Sequence, residues 1–257
     1  MGAPRPLPSV AGAKTKNFPS LILDFRREVW GEPTKNGKEI FGFASPLAYI
    51  PTGMYNEAMH QNPQTKEKLL NAAQKLMLEK GFTATSVEDI CKVAGVTKGS
   101  FFHYFTNKED LGKAVAQYYW QTMRAAWNDA PFRKHSDPLK RVCGFIDFFV
   151  ALSEDRSVEQ RCLLGNFAQE LSDTNPSIRN VCAACFTEWA EDLKKDLDAA
   201  KEKYLSKKHC DTKSVAEYIV ATMEGSLLLA KAHRDRSINT RNLKHLKRYV
   251  ESIFEGK

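Results

Sequence analysis

The stretch from Ser86 to Phe105 constrains this chain more than any other. Val87, Ile90, Cys91 and Ala94 recur at helical spacing and give a first short helix a single apolar face. Thr85 or Ser86 caps it, with Glu88 or Asp89 as the reciprocal partner. Gly95 ends it, because a left-handed residue after a helix is cheapest as glycine. Thr97 then caps a second short helix carrying Phe101, Phe102, Tyr104 and Phe105. A helix so short does not stand alone in water, so its aromatic side must be pinned against neighbours. Its N-terminal residues Lys98, Gly99 and Ser100 are left facing out.

Two short helices joined by a tight turn have the layout of a helix-turn-helix, in which the first helix braces and the second enters the DNA major groove N-terminus first. The competing interpretation is a helical hairpin inside an all-α core. Periodicity alone leaves the two open, and the residue types are compatible with the DNA reader. A helix N-terminus with a cationic Lys98 and a hydroxyl at Ser100 suits a phosphate. Gly99 allows close backbone approach, and His103 and Tyr104 can donate to phosphate oxygens.

The segment from about Thr65 to Trp120 resembles the DNA-binding domain of the TetR family of transcriptional regulators. The matching residues are Glu79-Lys80-Gly81-Phe82, Thr85-Ser86-Val87-Glu88-Asp89-Ile90, Ala94-Gly95-Val96-Thr97-Lys98-Gly99-Ser100, Phe102-His103-Tyr104-Phe105 and Asn107-Lys108-Glu109-Asp110-Leu111. The resemblance implies an all-α chain, with a helix-turn-helix domain over 63–123 (motif 86–105) and a helical effector-binding and dimerisation domain over 124–257. It places Ser86, Lys98, Gly99, Ser100, Phe102, His103, Tyr104 and Lys108 at the DNA. Phe102 departs from the family, which usually has tyrosine there. One phenolic hydroxyl is lost, and the ring is left to pack or to touch a thymine methyl. Lys108 in the first turn of its helix opposes the helix dipole; on the residues alone it reads as an ordinary solvated lysine, and with the resemblance an external anion would explain it.

Composition agrees with this class without specifying it. A net charge of +7 suits a nucleic-acid partner. No apolar run reaches membrane-spanning length, and the N-terminus lacks the order of a secretory signal. A cytoplasmic protein is therefore expected, with Cys91, Cys143, Cys162, Cys182, Cys185 and Cys210 as reduced thiols. Cys182 and Cys185 form a C-x-x-C, but a metal site needs two more ligands; the only nearby pair is His209-Cys210, so no metal and no cofactor are expected.

Residues 1–60 differ from the rest. Pro4, Pro6, Pro8, Pro19, Pro33, Pro46 and Pro51 are over half of the chain's 11 prolines, and no apolar periodicity is sustained there. A disordered extension is expected, or a mis-called start, with the natural chain beginning at Met54 or Met59.

The remaining chain reads as helices. Thr65 to Lys80 is amphipathic through Leu69, Ala73, Leu76 and Met77. Asn107 caps a long helix striped by Leu111, Val115, Tyr119, Met123 and Trp127. After a break at 128–137, residues 139–152 are apolar almost all round, as in a buried central helix. Gln160 to Leu171 mixes apolar residues with Asn166, Gln169 and Glu170. Asn175 and Pro176 open a long helix running to Tyr204. Gly225 and Ser226 in the next helix permit close helix approach. The last two helices, about 212–232 and 239–254, suit a four-helix homodimer interface, with Lys244, Lys247 and Arg248 as its solvated rim.

The run Arg161-Cys162-Leu163-Leu164-Gly165-Asn166 resembles a subgroup of the family that includes electrophile-responsive and acrylate-responsive repressors. There the cysteine at this place is a reactive thiol, and Arg161 would favour the thiolate of Cys162; otherwise Cys162 is a buried small hydrophobe. The effector-binding candidates are Cys162, Asn166, Phe145, Phe149 and Trp120.

No nucleophile elbow, phosphate loop or metal-ligand set is present, so no catalytic residue is assigned and no enzyme is expected. The expected function is a homodimeric repressor on a palindromic double-stranded operator, released by a small-molecule or electrophile effector. The alternatives are a DNA-binding protein without an effector, or an activator. A sensor should show a cavity in the C-terminal half, and an architectural protein a solid core.

Overall fold

The computed structural model describes residues 63–205 and 210–255. The expectations for residues 1–60, and for His209, lie outside that span. Among the described residues there are nine α-helices and no strand. They are α1 (Pro63–Lys80), α2 (Val87–Ala94), α3 (Lys98–Tyr104), α4 (Lys108–Asn128), α5 (Pro138–Glu154), α6 (Leu163–Leu171), α7 (Pro176–Tyr204), α8 (Thr212–His233) and α9 (Ser237–Phe254). A 3-10 turn, Pro131–Lys134, lies between α4 and α5.

The first helices form as their local chemistry dictates. Ser86 Oγ accepts from Asp89 N at 3.0 Å, while Asp89 Oδ2 accepts from Ser86 N at 3.2 Å. This reciprocal box satisfies amides that a helix N-terminus otherwise leaves open. Lys80 pairs with the same Asp89 carboxylate at 2.7 Å and ties α1 to α2. Gly95 ends α2 at φ +68°, which only glycine adopts without steric cost. Thr97 Oγ1 accepts from Ser100 N at 3.1 Å, and Asn107 Oδ1 from Asp110 N at 2.8 Å. Leu69, Ala73, Met77, Ile90, Phe101, Leu111 and Val115 are fully buried at the centre of this unit. Each large apolar side chain among them contributes about 1.5–3 kcal/mol.

Helix α4 continues from this unit into the second half, its stripe Leu111, Val115, Tyr119, Met123 and Trp127 wholly buried. There it packs on α7. Arg124 clasps Asp192 with Nε and Nη2 at 2.6 and 3.0 Å, and Trp120 Nε1 donates to Glu188 at 2.8 Å. Helix α5 is central, with Val142, Cys143, Phe145, Ile146, Phe148 and Val150 buried. It packs against α7 and α9. Asp196 of α7 is buried between Arg133 at 2.6 Å and Arg141 at 2.7 Å, so its charge is paired twice.

Three expectations change. Helix α6 begins at Leu163 rather than Gln160, with Cys162 extended at its N-cap. The cause is tertiary: Gln160 Nε2 donates to Ser153 O at 2.6 Å and Arg161 Nη1 to Leu78 O at 2.7 Å, which holds both residues out of the helix. Helix α9 begins two residues earlier than expected, at Ser237, whose amide and hydroxyl both donate to Asp235 Oδ1. Lys244 and Lys247 are more than a solvated rim of α9. They pair with Glu154 and Asp147 of α5, each at 2.7 Å, and fasten α9 to the core.

Candidate nucleic-acid interface and ligand cleft

The exposed end of the first unit is the start of α3. Lys98, Gly99, Phe102 and His103 are exposed, and Ser100 and Tyr104 are half-buried. Phe101, between them, is fully buried and stacks edge-on against Phe102 and, tilted, against Phe105. One aromatic anchor therefore fixes the helix while Lys98, Gly99, Phe102 and His103 around it stay exposed. Phe102 is 57% exposed, an unusual position for a phenylalanine, and Val93 of α2 is 48% exposed. Lys98 pairs with Glu88 across the turn, both well exposed. Ser86 is engaged in its own cap.

Lys108 departs from expectation. Its Nζ donates to the carbonyls of Phe82 and Thr83 at 3.1 and 3.3 Å and lies 4.5 Å from the Phe82 ring centroid. These carbonyls account for a lysine at a helix N-terminus without an external anion.

The same turn is gripped from the second half of the chain. Glu170, near the end of α6, accepts from Phe82 N at 2.9 Å through Oε2 and from Thr83 N at 2.7 Å through Oε1. The approach needs Gly81: a Cβ there would sit 2.8 Å from Glu170 Oε2, at a backbone φ of +87°. The bonds from Thr83 and Phe82, with Lys108 nearby, hold the Glu170 carboxyl below its ordinary range despite partial burial, which opposes them. Arg161 joins the other end of this segment to α1 through Leu78 O, and Phe167 meets Phe82 edge-on at 5.8 Å. Helix α6 is thus bound to the helix-turn-helix unit from both ends.

A cleft of about 610 Å³ opens between α6, α7 and α8. Its walls are mostly apolar, with Ala168, Phe186, Ala190, Val220 and Leu228 among them, and its polar groups include Gln169, Glu191 and Glu224. Gly225 lines it too, and a Cβ there would meet nothing within 4 Å. Gly225 thus leaves space at the cleft wall, while the adjacent Ser226 is buried in the packed face of α8.

The Glu224 carboxyl is turned inward onto the first turn of α6. A Cβ at Gly165 would lie 2.1 Å from Glu224 Oε2, so only glycine admits the carboxyl there. Oε1 is buried without a hydrogen-bond partner. Burial pushes Glu224 up to about 7, against the opposing hydrogen bond from the Cys162 thiol. Burial, and then the Glu224 charge, raise the Cys162 thiol well above its ordinary range, although the Gly165 and Leu164 amides act the other way. Tyr119, hydrogen-bonded to Cys162, is raised likewise by burial first. The group is a carboxyl, a thiol and a buried phenol in contact, and desolvation favours the neutral form of all three.

Of the effector candidates, Cys162 and Asn166 border the narrow recess beside Glu224. Arg161 does not favour a Cys162 thiolate as expected, because its guanidinium is spent on Leu78 O and on Glu159. Trp120, Phe145 and Phe149 do not line the cleft. They belong to a stacked cluster with Trp127 and Trp189, which reaches the cleft only through Phe186. Sequence reasoning missed Glu224 and Gly165. The available signals were a lone acid within the apolar run from Ile219 to Ala230 and a glycine in the first turn of an apolar helix. Cys182 and Cys185 are buried on α7, and among the described residues no group of three or more His, Cys, Asp or Glu could hold a metal. No helix among them is long and apolar enough to cross a membrane.

Residues 69–115 match the family described as bacterial regulatory proteins, tetR family, and residues 138–246 match the tetracyclin repressor-like C-terminal domain. The chain is similar to the transcriptional regulator AcuR of Cereibacter sphaeroides, 32% identical over 173 residues, covering 64% of this chain and 75% of AcuR. It is also similar to the HTH-type transcriptional repressor DhaR of a Mycobacterium species (strain GP1), 26% identical over 191 residues, covering 74% of this chain and 91% of DhaR. The crystal structure of Escherichia coli NemR in its reduced form shares the fold, with a TM-score of 0.62 at 24% identity over 72% of this chain and 96% of NemR. The helix-turn-helix, the all-helical second half and these likenesses agree: the chain belongs to the TetR family of transcriptional regulators.

Proposed function

We propose that this chain is a homodimeric repressor that leaves a near-palindromic operator when a small molecule occupies the cleft between α6, α7 and α8. Residues 63–123 serve as the reading domain, and residues 124–257 bind the effector and form the dimer. One observation carries the reading: α6 walls the cleft with Gly165, Ala168 and Gln169, and one residue further on its Glu170 grips the turn that leads into α2. A ligand that displaces α6 therefore pulls on the reading unit. It must bind the released state more tightly, or it shifts nothing. A tenfold loss of operator affinity needs a difference of about 1.4 kcal/mol.

A dimer is supported by an apolar face open on the last two helices. Tyr218, Leu229 and Tyr249 are each nearly half exposed, and the two tyrosine rings meet at 5.0 Å. Lys98, Gly99, Ser100, Phe102, His103 and Tyr104 then contact DNA, with Ser86 presenting its capped helix end. Lys108 acts indirectly, by bracing the turn at Phe82 and Thr83.

The test is binding of the full chain to a duplex from immediately upstream of its own gene, at low salt where phosphate contacts are strongest. Two protomers per duplex, with an affinity well above that for an unrelated duplex, are expected. Equal affinity for both duplexes would overturn the reading. Modification of Cys162 by an electrophile is a second route to the same displacement, because the thiol sits at the α6 N-cap. Release of wild type but not of Cys162→Ser by N-ethylmaleimide would establish it. The half-buried thiol, held neutral by desolvation and by the Glu224 charge, favours the noncovalent route.

A further inference from the structure

The Glu224 carboxyl is the one strongly polar group that the cleft buries and leaves half unsatisfied. Its Oε2 lies over Gly165 at the start of α6, and its Oε1 has no hydrogen-bond partner. A buried acceptor without a donor is costly, and such groups call for an explanation. The lysines of the cleft do not supply the donor. Lys194 is paired with Asp198 at 2.7 Å, and Lys213 faces Glu217 one turn along α8 at 3.8 Å. Among the described residues Glu224 has no ion pair, and the exposed Glu191 adds a second carboxylate to the wall. The apolar remainder, Phe186, Val220 and Leu228 included, suits a hydrocarbon body. A volume of about 610 Å³ holds a small organic molecule.

We propose that Glu224 is the recognition group for an organic cation, an ammonium or amidinium on a compact apolar body. This rests on the reading of the cleft as the effector site and names the class of effector. The cation pairs with the Glu224 carboxyl and supplies the charge partner that the protein withholds. Gly165 belongs to the site because any larger residue there displaces the carboxyl.

Binding of a cation favours the ionised carboxyl, so affinity depends on pH. Tyr119 of α4 and Cys162 at the α6 N-cap interact with Glu224 or with each other, and the other titratable groups lining the cleft and its recess are Glu191 and Lys194 of α7 and Lys213, Glu217 and Lys231 of α8. Tyr119 and Cys162 are both pushed further above neutrality by burial, and Lys194 is held up by Asp198. With Glu224 near 7, affinity rises about tenfold from pH 6 to pH 8, and binding at pH 6 releases a proton.

The experiment is calorimetric titration of the full chain with three isosteres: phenylethylammonium, 2-phenylethanol and 3-phenylpropanoate. Each is run at pH 6, 7 and 8 in two buffers of different ionisation heat, and operator release is read in parallel. Phenylethylammonium is expected to bind the most tightly, with proton release at pH 6. Glu224→Gln should weaken it at least tenfold and remove the pH dependence. Gly165→Ala, a better helix former, should weaken it also. Tighter binding of 3-phenylpropanoate, or ammonium binding unchanged in Glu224→Gln, would overturn the proposal. So would the absence of ammonium binding by a chain that still binds operator. Operator release by the alcohol or the acid alone keeps the effector site and overturns the cation. Ammonium binding through Glu224 without operator release keeps the cation site and overturns the effector reading.

Discussion

Two carboxylates sit on two glycines in this chain, and they are satisfied to opposite degrees. Glu170 lies against Gly81 at the junction with the reading unit, and two backbone amides and a nearby lysine hold it ionised. Glu224 lies against Gly165 in the cleft, with one oxygen unpartnered and its proton retained toward neutrality. In both places a missing side chain lets a carboxyl reach a helix end. The first is a finished contact and holds two parts together. The second is unfinished and reads as a binding site. Satisfaction, not burial, separates a strut from a receptor.

The largest expected effect has the sign that this contrast demands. Glu224→Gln should stabilise the chain at neutral pH. Its folded-state value, about 7, lies above the ordinary 4.5, so the folded chain holds the proton more tightly than the unfolded one. Wild-type stability is then highest below pH 4.5 as far as this group is concerned, and it falls as pH rises to about 7. The loss is about 3 kcal/mol. Denaturant unfolding at pH 5 and pH 8 should show that fall in wild type, and its absence in Glu224→Gln.

Glu170→Ala should do the reverse and destabilise by about 2 kcal/mol, since it strands the amides of Phe82 and Thr83. The Glu170 carboxyl is held below its ordinary value, so its contribution is present above pH 4.5 and lost as pH falls through the folded-state value. Extending the unfolding series down to pH 3 checks this sign as well. A mild loss, about 1–2 kcal/mol, is expected from Gly81→Ala, because alanine at φ +87° is strained and its Cβ meets Glu170. Lys98→Ala should be nearly silent in stability, because its exposed pair with Glu88 is worth under about 1 kcal/mol. Its effect belongs to DNA: the salt dependence of operator binding should shallow by about one unit of slope.

The same contrast explains what could be read from the sequence. The reading unit is built from contacts three or four residues apart, such as Ser86 with Asp89, Thr97 with Ser100 and Asn107 with Asp110. Such spacing is visible in the chain itself, and so are the stripe of α4 and the apolar α5. The cleft joins Gly165 to Glu224, and the junction joins Glu170 to Phe82 and Thr83, across stretches that no periodicity connects. For the same reason the start of α6 was misplaced, since Leu78 and Ser153 hold Arg161 and Gln160 out of it. Whether the phenylalanines of an apolar helix line a cavity or fill a core is equally undecided by spacing; here Trp120, Phe145 and Phe149 stack with Trp127 and Trp189.

The most direct measurement is selection of bound sequences from a random duplex library by the full chain. A pair of identical reading heads should enrich two inverted half-sites, centred about one helical turn apart or a multiple of it. Lys98→Ala should recover the same motif more weakly. A library with no enriched motif, or with a single asymmetric half-site bound by one protomer, would contradict the dimeric reader.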